Sequence, residues 1–274
     1  MTVIALREPV PRIITPRCKS GATDISLRAL NALLRLGLPD VSRLDEFGFS
    51  TRQLRGGEPL IHCGDACEAI YAVRFGSLRT VIIDANGSEQ GMGFPMATDV
   101  IGTDGLATGL HTSRTVALER SEVVVIPLAR VAEIARMVPA FDLMVYRMIG
   151  REIARDHAVL YVLGSLNAEG RVAAFLLGLS DRYGELGYSR TVFNLRMTRH
   201  DIAGYLGLTL ETVSRAFSAY AASELLRVNG REIEILDMEA LRRAMTEPSA
   251  VLRRHRNANA LKATPYTPQL AIAC

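Results

Sequence analysis

Three polar residues around position 211 have the side chains and spacing that proteins use to read the edges of DNA bases. Arg215 can donate two hydrogen bonds to O6 and N7 of guanine, and Glu211 can accept one from N4 of cytosine. Ser214 can bond a base or a phosphate. Alternatively, Glu211 and Arg215 are an ordinary surface ion pair one helical turn apart, which stabilises a helix only weakly. The flanking sequence distinguishes these two interpretations.

The stretch from Met197 to Ala222 predicts two short helices joined by a sharp turn at Gly207. Thr198 can cap the first helix, with Asp201 at the acidic position of a capping box, and Thr209 can cap the second. Three apolar residues of the second helix share one face and are expected to point inward: Val213, Phe217 and Tyr220. Its polar residues then face outward near the helix N-terminus: Glu211, Thr212, Ser214, Arg215 and Ser218. This pattern predicts a helix-turn-helix, whose second helix enters the DNA major groove.

The segment that follows, LLRVNGREIEIL, contains two β-rich runs around Asn229-Gly230 and predicts a type I′ hairpin, hence a winged helix. At this point the chain resembles the CRP/FNR superfamily of bacterial transcription regulators, and specifically its FNR branch. The resemblance is carried by MTRHDIAGYLGLTLETVSR, with the branch's Glu-x-x-Ser-Arg set at Glu211, Ser214 and Arg215. It extends to NAEGRVAAF at 167–175, IYAVRFGSLR at 70–79 and DVIGTDGL at 99–106, and covers roughly residues 25–245.

The resemblance implies a homodimer that binds double-stranded DNA and contacts RNA polymerase. It also implies a two-fold symmetric site resembling TTGAT-N4-ATCAA. No membrane partner is expected. The residues predicted to contact DNA are Glu211, Ser214, Arg215, Thr198, Arg199, Thr209 and Thr212.

Short β-rich runs separated by turn residues fill the region from Phe49 to Leu128 and predict a sandwich or roll. The resemblance implies that this region is a jelly roll similar to cyclic-nucleotide-binding domains. The fold class is therefore α+β: an N-terminal jelly roll, a long coiled-coil dimerisation helix and a C-terminal winged helix-turn-helix. The predicted strands are 59–61, 69–74, 77–84, 89–94 and 122–127.

A long helix is predicted between the roll and the winged helix, and it has two apolar faces. One face follows alternating steps of three and four residues, as in a coiled coil: Tyr146, Ile149, Ile153, Asp156, Leu160 and Leu163. The other face would pack within the subunit: Phe141, Val145, Met148 and Val159. The resemblance implies that Asp156, the acid of the dimer face, opposes dimerisation, because two like charges meet there.

Five segments are expected. They are a flexible N-terminal arm (1–23), a sensor jelly roll (24–138), a dimerisation helix (139–166), a winged helix-turn-helix DNA-binding domain (167–245) and a flexible basic tail (246–274).

Cyclic AMP is not expected as a ligand. The relatives that bind it carry a Gly-Glu-Leu turn for the ribose and an Arg-Ser pair for the phosphate. This chain has Gly102-Thr103-Asp104-Gly105 at the first place, and Arg114 lies out of register at the second. Arg114 is then either an anion ligand or an exposed arginine at a strand end.

An iron–sulfur cluster, which the FNR branch holds with three cysteines in the arm and a fourth in the last strand of the roll, is also not expected. The arm here contains only Cys18, and the last strand, SEVVVIP, contains no cysteine. No cofactor and no metal site are therefore predicted. Two alternatives stay open: a redox or metal input at Cys63 and Cys67 with His62, or a cluster with Cys18, Cys63 and Cys67 as unconventional ligands.

The composition fits this interpretation. The chain has 274 residues, 49% of them hydrophobic, with no apolar run long enough to span a membrane and no secretory signal. Four cysteines are too few for a disulfide scaffold, so a cytoplasmic protein is expected. From Ser165 onward there are 14 Arg and Lys and 11 Asp and Glu, so the excess positive charge lies in the C-terminal part of the chain, where a phosphate-binding surface would be wanted. The five histidines are scattered outside any catalytic motif, and an enzyme is not expected.

Overall fold

The computed structural model describes residues 25–35, 37, 47–84, 86–138, 140–248 and 250–251. Cys18, Cys274, the arm predicted for 1–23 and residues 252–274 lie outside this part of the chain. None of the described helices is both long and apolar enough to cross a membrane.

The N-terminal half contains ten strands within the described residues. In chain order they are β1 (Ile25–Ser26), β2 (Gly48–Phe49), β3 (Thr51–Leu54), β4 (Pro59–Ile61), β5 (Ala69–Phe75), β6 (Leu78–Ile83), β7 (Glu89–Gly93), β8 (Val100–Ile101), β9 (Arg114–Ala117) and β10 (Ser121–Pro127). Helix α1 (Leu27–Leu34) lies between β1 and β2, and a 3₁₀ turn (Thr103–Gly105) follows β8.

Two four-stranded antiparallel sheets form the predicted roll, with strand orders β3-β10-β5-β8 and β4-β9-β6-β7. All five predicted strands are present. Strands β3, β8 and β9 were not predicted, because all three are short and because β3 and β9 mix apolar with polar residues, so their apolar signal is weak.

The central strands of the first of these sheets, β5 and β10, are buried on both faces. Val73 of β5 and Val123 of β10 point into the interior of the roll, while Val124 and Ile126 pack outward against helices. Because successive residues of a strand point to opposite faces, a strand covered on both sides is apolar at nearly every position. This explains the continuous run VVVI in β10.

Helices α2 (Leu128–Met137) and α3 (Ala140–Ser165) follow the roll. The long helix predicted for 139–166 is thus present, and α2 is an additional helix that was not predicted. One face of α3 packs within the subunit, where Phe141 and Met148 are buried with residues of α1 and α2. The opposite face is exposed: Tyr146 retains 70% and Leu160 65% of their accessible surface.

The C-terminal half is a winged helix-turn-helix, as predicted. It contains α4 (Ala168–Glu185), β11 (Val192–Asn194), α5 (Arg199–Leu206), α6 (Leu210–Ala222), β12 (Leu226–Asn229), β13 (Glu232–Ile235) and α7 (Met238–Thr246). The three strands form one sheet in the order β11-β13-β12. All four helices and the sheet share one apolar core, which also takes in Phe94 from the roll.

The turn between β12 and β13 differs from the prediction. Asn229 pairs with Glu232, so the two loop residues are Gly230 and Arg231 rather than Asn229 and Gly230. Only Gly230 has a positive φ, of 59°. A type I′ turn needs positive φ at both loop positions, so the predicted turn type is wrong although the hairpin is present.

The start of the segment predicted to be a flexible tail is packed against the C-terminal half, in contrast to the prediction. The N–H of Val251 donates to the carbonyl of Glu247 over 3.2 Å, and the Val251 side chain is buried in the core of the C-terminal half. Pro248 is buried as well. Pro248 and Val251, which the sequence places in the flexible tail, are therefore packed against the C-terminal half.

Candidate nucleic-acid interface

Helix α6 begins and packs as its sequence predicts. The Thr209 hydroxyl accepts a hydrogen bond from the N–H of Thr212 over 3.1 Å and so caps the helix. Val213, Phe217 and Tyr220 are buried on its inner face. The Tyr220 hydroxyl donates to the carbonyl of Glu169 in α4 over 2.7 Å, and burial raises the pKa of this tyrosine. One face of α6 is thereby fixed to the domain.

The outer face of α6 presents the residues predicted to read bases. The side chains of Glu211 and Arg215 are 76% and 70% exposed, and Ser214 between them is exposed as well. A nitrogen of Arg215 lies 3.4 Å from a carboxylate oxygen of Glu211. This pair is the surface ion pair considered as the alternative, and its exposure leaves both side chains open to a ligand.

Helix α5 is capped at both ends. Thr198 and Asp201 form the predicted capping box: the Asp201 N–H donates to the Thr198 hydroxyl over 3.1 Å, and the Thr198 N–H donates to the Asp201 carboxylate over 2.8 Å. Gly207 ends the helix with φ of 61°, a conformation that glycine adopts readily. Both ends of α5 are therefore set by residues within or next to the helix.

Arg199 is placed differently from the other predicted DNA contacts. Its guanidinium carbon lies 3.2 Å from the centroid of the Phe217 ring, and its Nη1 is buried without a hydrogen-bond partner within the described part of the chain. Burial lowers the pKa of Arg199 to about 10. Stacking on Phe217 couples α5 to α6 and competes with a phosphate contact.

Arg171 of α4 is a structural residue of the interface that the sequence interpretation missed. Its guanidinium donates to three carbonyls, those of Leu163 over 2.7 Å, Leu166 over 3.0 Å and Leu206 over 3.1 Å. Leu163 lies at the end of α3 and Leu206 at the end of α5. Carbonyls at helix C-termini lack partners in the helix, and an arginine satisfies them well. Arg171 therefore ties α3 to α5.

The wing carries two further arginines. Arg227 of β12 is largely exposed and pairs with Glu234 on the adjacent strand. Arg231 in the hairpin loop donates to the carbonyl of Arg196 over 3.2 Å. These arginines lie on the strands and loop beside the helix-turn-helix, where a winged helix can meet the DNA backbone.

The residues predicted for dimerisation lie along α3. Tyr146, Ile153 and Leu160 are exposed, as is Asp156, whereas Ile149 and Leu163 are half-buried. Large apolar side chains left exposed along one helix mark a surface that a partner can cover.

A cavity of about 430 Å³ lies between the roll and α3. Asp104, Glu152 and Asp156 contribute carboxylates to its wall, and no Arg or Lys is among the described residues that line it. A cyclic nucleotide carries a phosphate, which needs positive charge or N–H donors rather than carboxylates. The cavity does not fit that ligand.

Asp104 is also occupied by the protein itself. Its carboxylate accepts bonds from the N–H and hydroxyl groups of both Thr112 and Ser113, and one oxygen lies 3.1 Å from Nδ1 of the buried His111. Burial alone would raise the pKa of Asp104, but the hydrogen bonds from His111, Ser113 and Thr112 outweigh burial and lower it. Asp104 therefore uses most of its acceptor capacity within the protein rather than for the ribose hydroxyls of a nucleotide.

Cys63 and Cys67 have different surroundings. Cys63 is exposed, whereas Cys67 is buried with its thiol 3.5 Å from the carbonyl of Gly102. Burial, with a smaller effect from the charge of Asp104, raises the pKa of Cys67. The described residues contain no group of three or more His, Cys, Asp or Glu side chains that could hold a metal ion. Strand β10 has no cysteine, so these residues do not fit an iron–sulfur cluster.

Comparison with known sequences identifies relatives along most of the chain. Residues 170–244 match the family model of the Crp-like helix-turn-helix domain, and residues 51–137 match that of the cyclic nucleotide-binding domain. The transcriptional regulatory protein btr of Bordetella pertussis is 42% identical over 216 residues, which are 78% of this chain and 89% of that protein. The transcriptional activator protein Anr of Pseudomonas protegens is 38% identical over 214 residues, 78% of this chain and 88% of that protein.

Among solved structures, FixK2 from Bradyrhizobium japonicum is similar in fold, with a TM-score of 0.65 and 27% identity. The superposition covers 71% of this chain and 96% of that chain. Together with the exposed polar face of α6, these relationships show that the chain belongs to the CRP/FNR family and is a DNA-binding transcription regulator.

Proposed function

We propose that the protein binds an FNR-like palindrome as a homodimer, and that Glu211, Ser214 and Arg215 of α6 read its bases. The observation that carries this proposal is the strong exposure of these three side chains on a helix whose opposite face is buried. Thr198, Thr209 and Thr212 lie at the N-termini of α5 and α6, where hydroxyls and N–H groups suit phosphate contacts. Arg199 is retained as a seventh predicted contact, although its stacking on Phe217 competes with that role.

The experiment that tests base reading compares two arginine variants in full-length protein. Arg215→Ala is expected to lose about 1–3 kcal/mol of binding free energy per half-site on a TTGAT-N4-ATCAA duplex and to lose its preference at the guanine. Arg242→Ala is the matched control, because Arg242 also pairs with a glutamate on an exposed helix but lies on α7. Fluorescence anisotropy on this duplex and on duplexes altered at the guanine measures both the affinity and the guanine preference of each variant. If Arg215→Ala weakens binding to every sequence equally, Arg215 contacts a phosphate instead.

Dimerisation through α3 is supported by its exposed apolar face. Tyr146, Ile153 and Leu160 are too exposed for a helix packed only within its own subunit, and a second copy of α3 would cover them. Leu160→Glu is expected to give a monomer in sedimentation velocity, whereas Asp156→Ala is expected to tighten the dimer by removing two like charges from the seam. A dimer unaffected by Leu160→Glu would place the interface elsewhere.

We also propose that the protein binds DNA without a cyclic nucleotide and without an iron–sulfur cluster. The carboxylate residues that line the cavity and the hydrogen bonds that occupy Asp104 support the first point, and the distribution of cysteines supports the second. Protein purified in air is expected to bind its DNA site as tightly as protein purified without oxygen. Iron and sulfide bound to the anaerobic protein, with DNA affinity lost in air, would restore Cys18, Cys63 and Cys67 as unconventional ligands.

Contact with RNA polymerase, and action from the cytoplasm, are proposed because they follow from membership of this family of regulators. Transcription in vitro from a promoter that carries the palindrome, with and without the protein, tests the contact with RNA polymerase. A change in transcript yield that Arg215→Ala abolishes is the expected result. An unchanged yield at saturating protein would contradict it.

A further inference from the structure

The hairpin formed by β6 and β7 of the roll packs directly on α5 of the helix-turn-helix. Nη1 of Arg79 in β6 lies 2.5 Å from Oδ1 of Asp201, whose side chain is only 8% exposed. Arg79 also pairs with Glu89 of β7. The side-chain amide of Gln90 donates to the carbonyl of Gly204 over 2.6 Å. Two side chains of the roll, those of Arg79 and Gln90, thus bind to α5.

The fit between the hairpin and α5 leaves no space for a side chain at one position. A Cβ added at Gly91 of β7 would lie 2.9 Å from the backbone nitrogen and Cα of Tyr205, closer than real Cβ atoms approach. Next to this contact, the rings of Phe94 and Tyr205 meet edge to face at 5.3 Å, and Phe175 of α4 completes the cluster. The contact is therefore close-packed as well as charged.

Asp201 links this contact to the DNA-binding face. The same carboxylate that meets Arg79 accepts the Thr198 N–H in the capping box, at the end of α5 where Thr198 is predicted to contact DNA. Burial alone would raise the pKa of Asp201, but the hydrogen bonds from Thr198 and the charge of Arg79 outweigh burial and lower it. Only Gly207 to Thr209 separate α5 from α6, so the orientation of α5 sets that of the recognition helix.

We propose that the β6–β7 hairpin sets the orientation of the helix-turn-helix, with Arg79 as its positioning residue. Arg79 acts through Asp201 and does not touch the DNA. Residues of the roll, outside the helix-turn-helix, thereby contribute to DNA affinity. The inference depends on DNA binding through α6, which Arg215→Ala in the same assay tests separately.

The test uses full-length protein with Arg79→Gln, Arg79→Lys and, as the matched control, Arg52→Gln. Arg52 also pairs with a glutamate of the roll, Glu58 at 3.4 Å. Unlike Arg79, it makes no hydrogen bond to α5 within the described part of the chain. Arg79→Gln is expected to weaken binding to the palindrome about tenfold, which a charged, partly buried hydrogen bond can supply. Arg79→Lys is expected to restore part of the loss, and Arg52→Gln to change nothing.

Two further readouts separate positioning from a phosphate contact. The slope of log K against log salt is expected to stay as in the parent protein, whereas removal of an arginine that binds a phosphate would reduce its magnitude by about 0.9 for each subunit of the dimer. Hydrogen exchange of the peptide spanning α5 is expected to be faster in Arg79→Gln. In the Asp201→Asn background, Arg79→Gln is expected to add little, because its partner charge is already gone. Unchanged affinity, or a reduced salt slope, would overturn the proposal.

A second pair of variants decides the question if Arg79→Gln fails to fold. Gly91→Ala pushes the hairpin away from Tyr205 without changing any charge, and Gly93→Ala is its control on the same strand, because a Cβ there meets nothing within 4 Å. Gly91→Ala is expected to weaken DNA binding, and Gly93→Ala to leave it as it is. Equal affinities for these two variants would overturn the proposal.

Discussion

Oδ1 of Asp99 lies 2.6 Å from a guanidinium nitrogen of Arg155, so a buried carboxylate of the roll is paired with the helix that carries the dimer face. The other oxygen of Asp99 pairs with Arg182 of α4 and accepts the N–H of Met96 over 2.8 Å. Arg182 also donates to the carbonyl of Phe94 over 3.1 Å. One side chain thus joins the roll, α3 and the DNA-binding domain.

Asp99→Asn is expected to lower the free energy of unfolding by about 2 kcal/mol. The variant leaves two arginines without their shared partner, and the side chain of Asp99 is only 5% exposed, although both arginines reach solvent and screen part of the loss. Urea denaturation measures the difference. Glu239→Gln, which breaks an exposed pair with Arg242, is the control and should change stability by less than about 0.5 kcal/mol. Equal effects of the two variants would show that Asp99 is not a structural junction.

The two described cysteines are expected to react at different rates. Cys63 is exposed, whereas Cys67 is buried and its raised pKa leaves little thiolate at neutral pH. Iodoacetamide should therefore alkylate Cys63 about tenfold faster or more in native protein, as measured by peptide mass spectrometry. In urea the two rates should converge. Equal rates in the native state would show that the Cys67 thiol is as reactive as that of Cys63 and would contradict its burial.

Glu152→Gln is expected to raise the melting temperature at pH 7 and to leave it unchanged near pH 4. Burial raises the pKa of Glu152 in the folded state, and Asp99 and Asp156 add to this effect while Arg155 opposes it. The unfolded chain therefore ionises first as pH rises, so this group costs stability above its unfolded pKa and costs none below it. Glu232→Gln, on the exposed wing, is the control. A melting temperature that falls at pH 7 would mean that the ionised Glu152 is stabilising.

Arg199→Ala is expected to destabilise the protein by about 1–2 kcal/mol, because the partly buried guanidinium of α5 stacks on the Phe217 ring of α6 at 3.2 Å. If Arg199 also contacts a DNA phosphate, the slope of log K against log salt should fall in magnitude by about 0.9 for each Arg199 in the complex. An unchanged slope would leave Arg199 with the stacking role alone.

The helix-turn-helix was predictable because its determinants are local. Thr198 with Asp201, and Thr209 with Thr212, are capping contacts three residues apart, and Gly207 marks the turn between the helices. The two faces of α3 were predictable for a similar reason, since helical periodicity separates the buried Met148 from the exposed Leu160.

The contacts between the domains were not predictable in this way. Arg79 and Asp201 are 122 residues apart, and Asp99 and Arg182 are 83 apart. In the sequence, Arg79 is one arginine in a β-rich run, and nothing local distinguishes it from Arg74, which pairs with Glu122 within the roll. The turn at Gly230 was misplaced by one residue because the pairing of Asn229 with Glu232 depends on the register of the whole sheet.

Arg171 has a consequence for the spacing of half-sites on DNA. By binding carbonyls at the ends of α3 and α5 with one planar guanidinium, it fixes these two helix ends to each other. In the proposed dimer, the paired α3 helices hold the two α5 ends apart, so the protein sets the distance between its two α6 helices before it binds DNA. The dimer therefore binds best to sites whose spacer matches this distance, and it must bend or twist the DNA to bind a site with a different spacer.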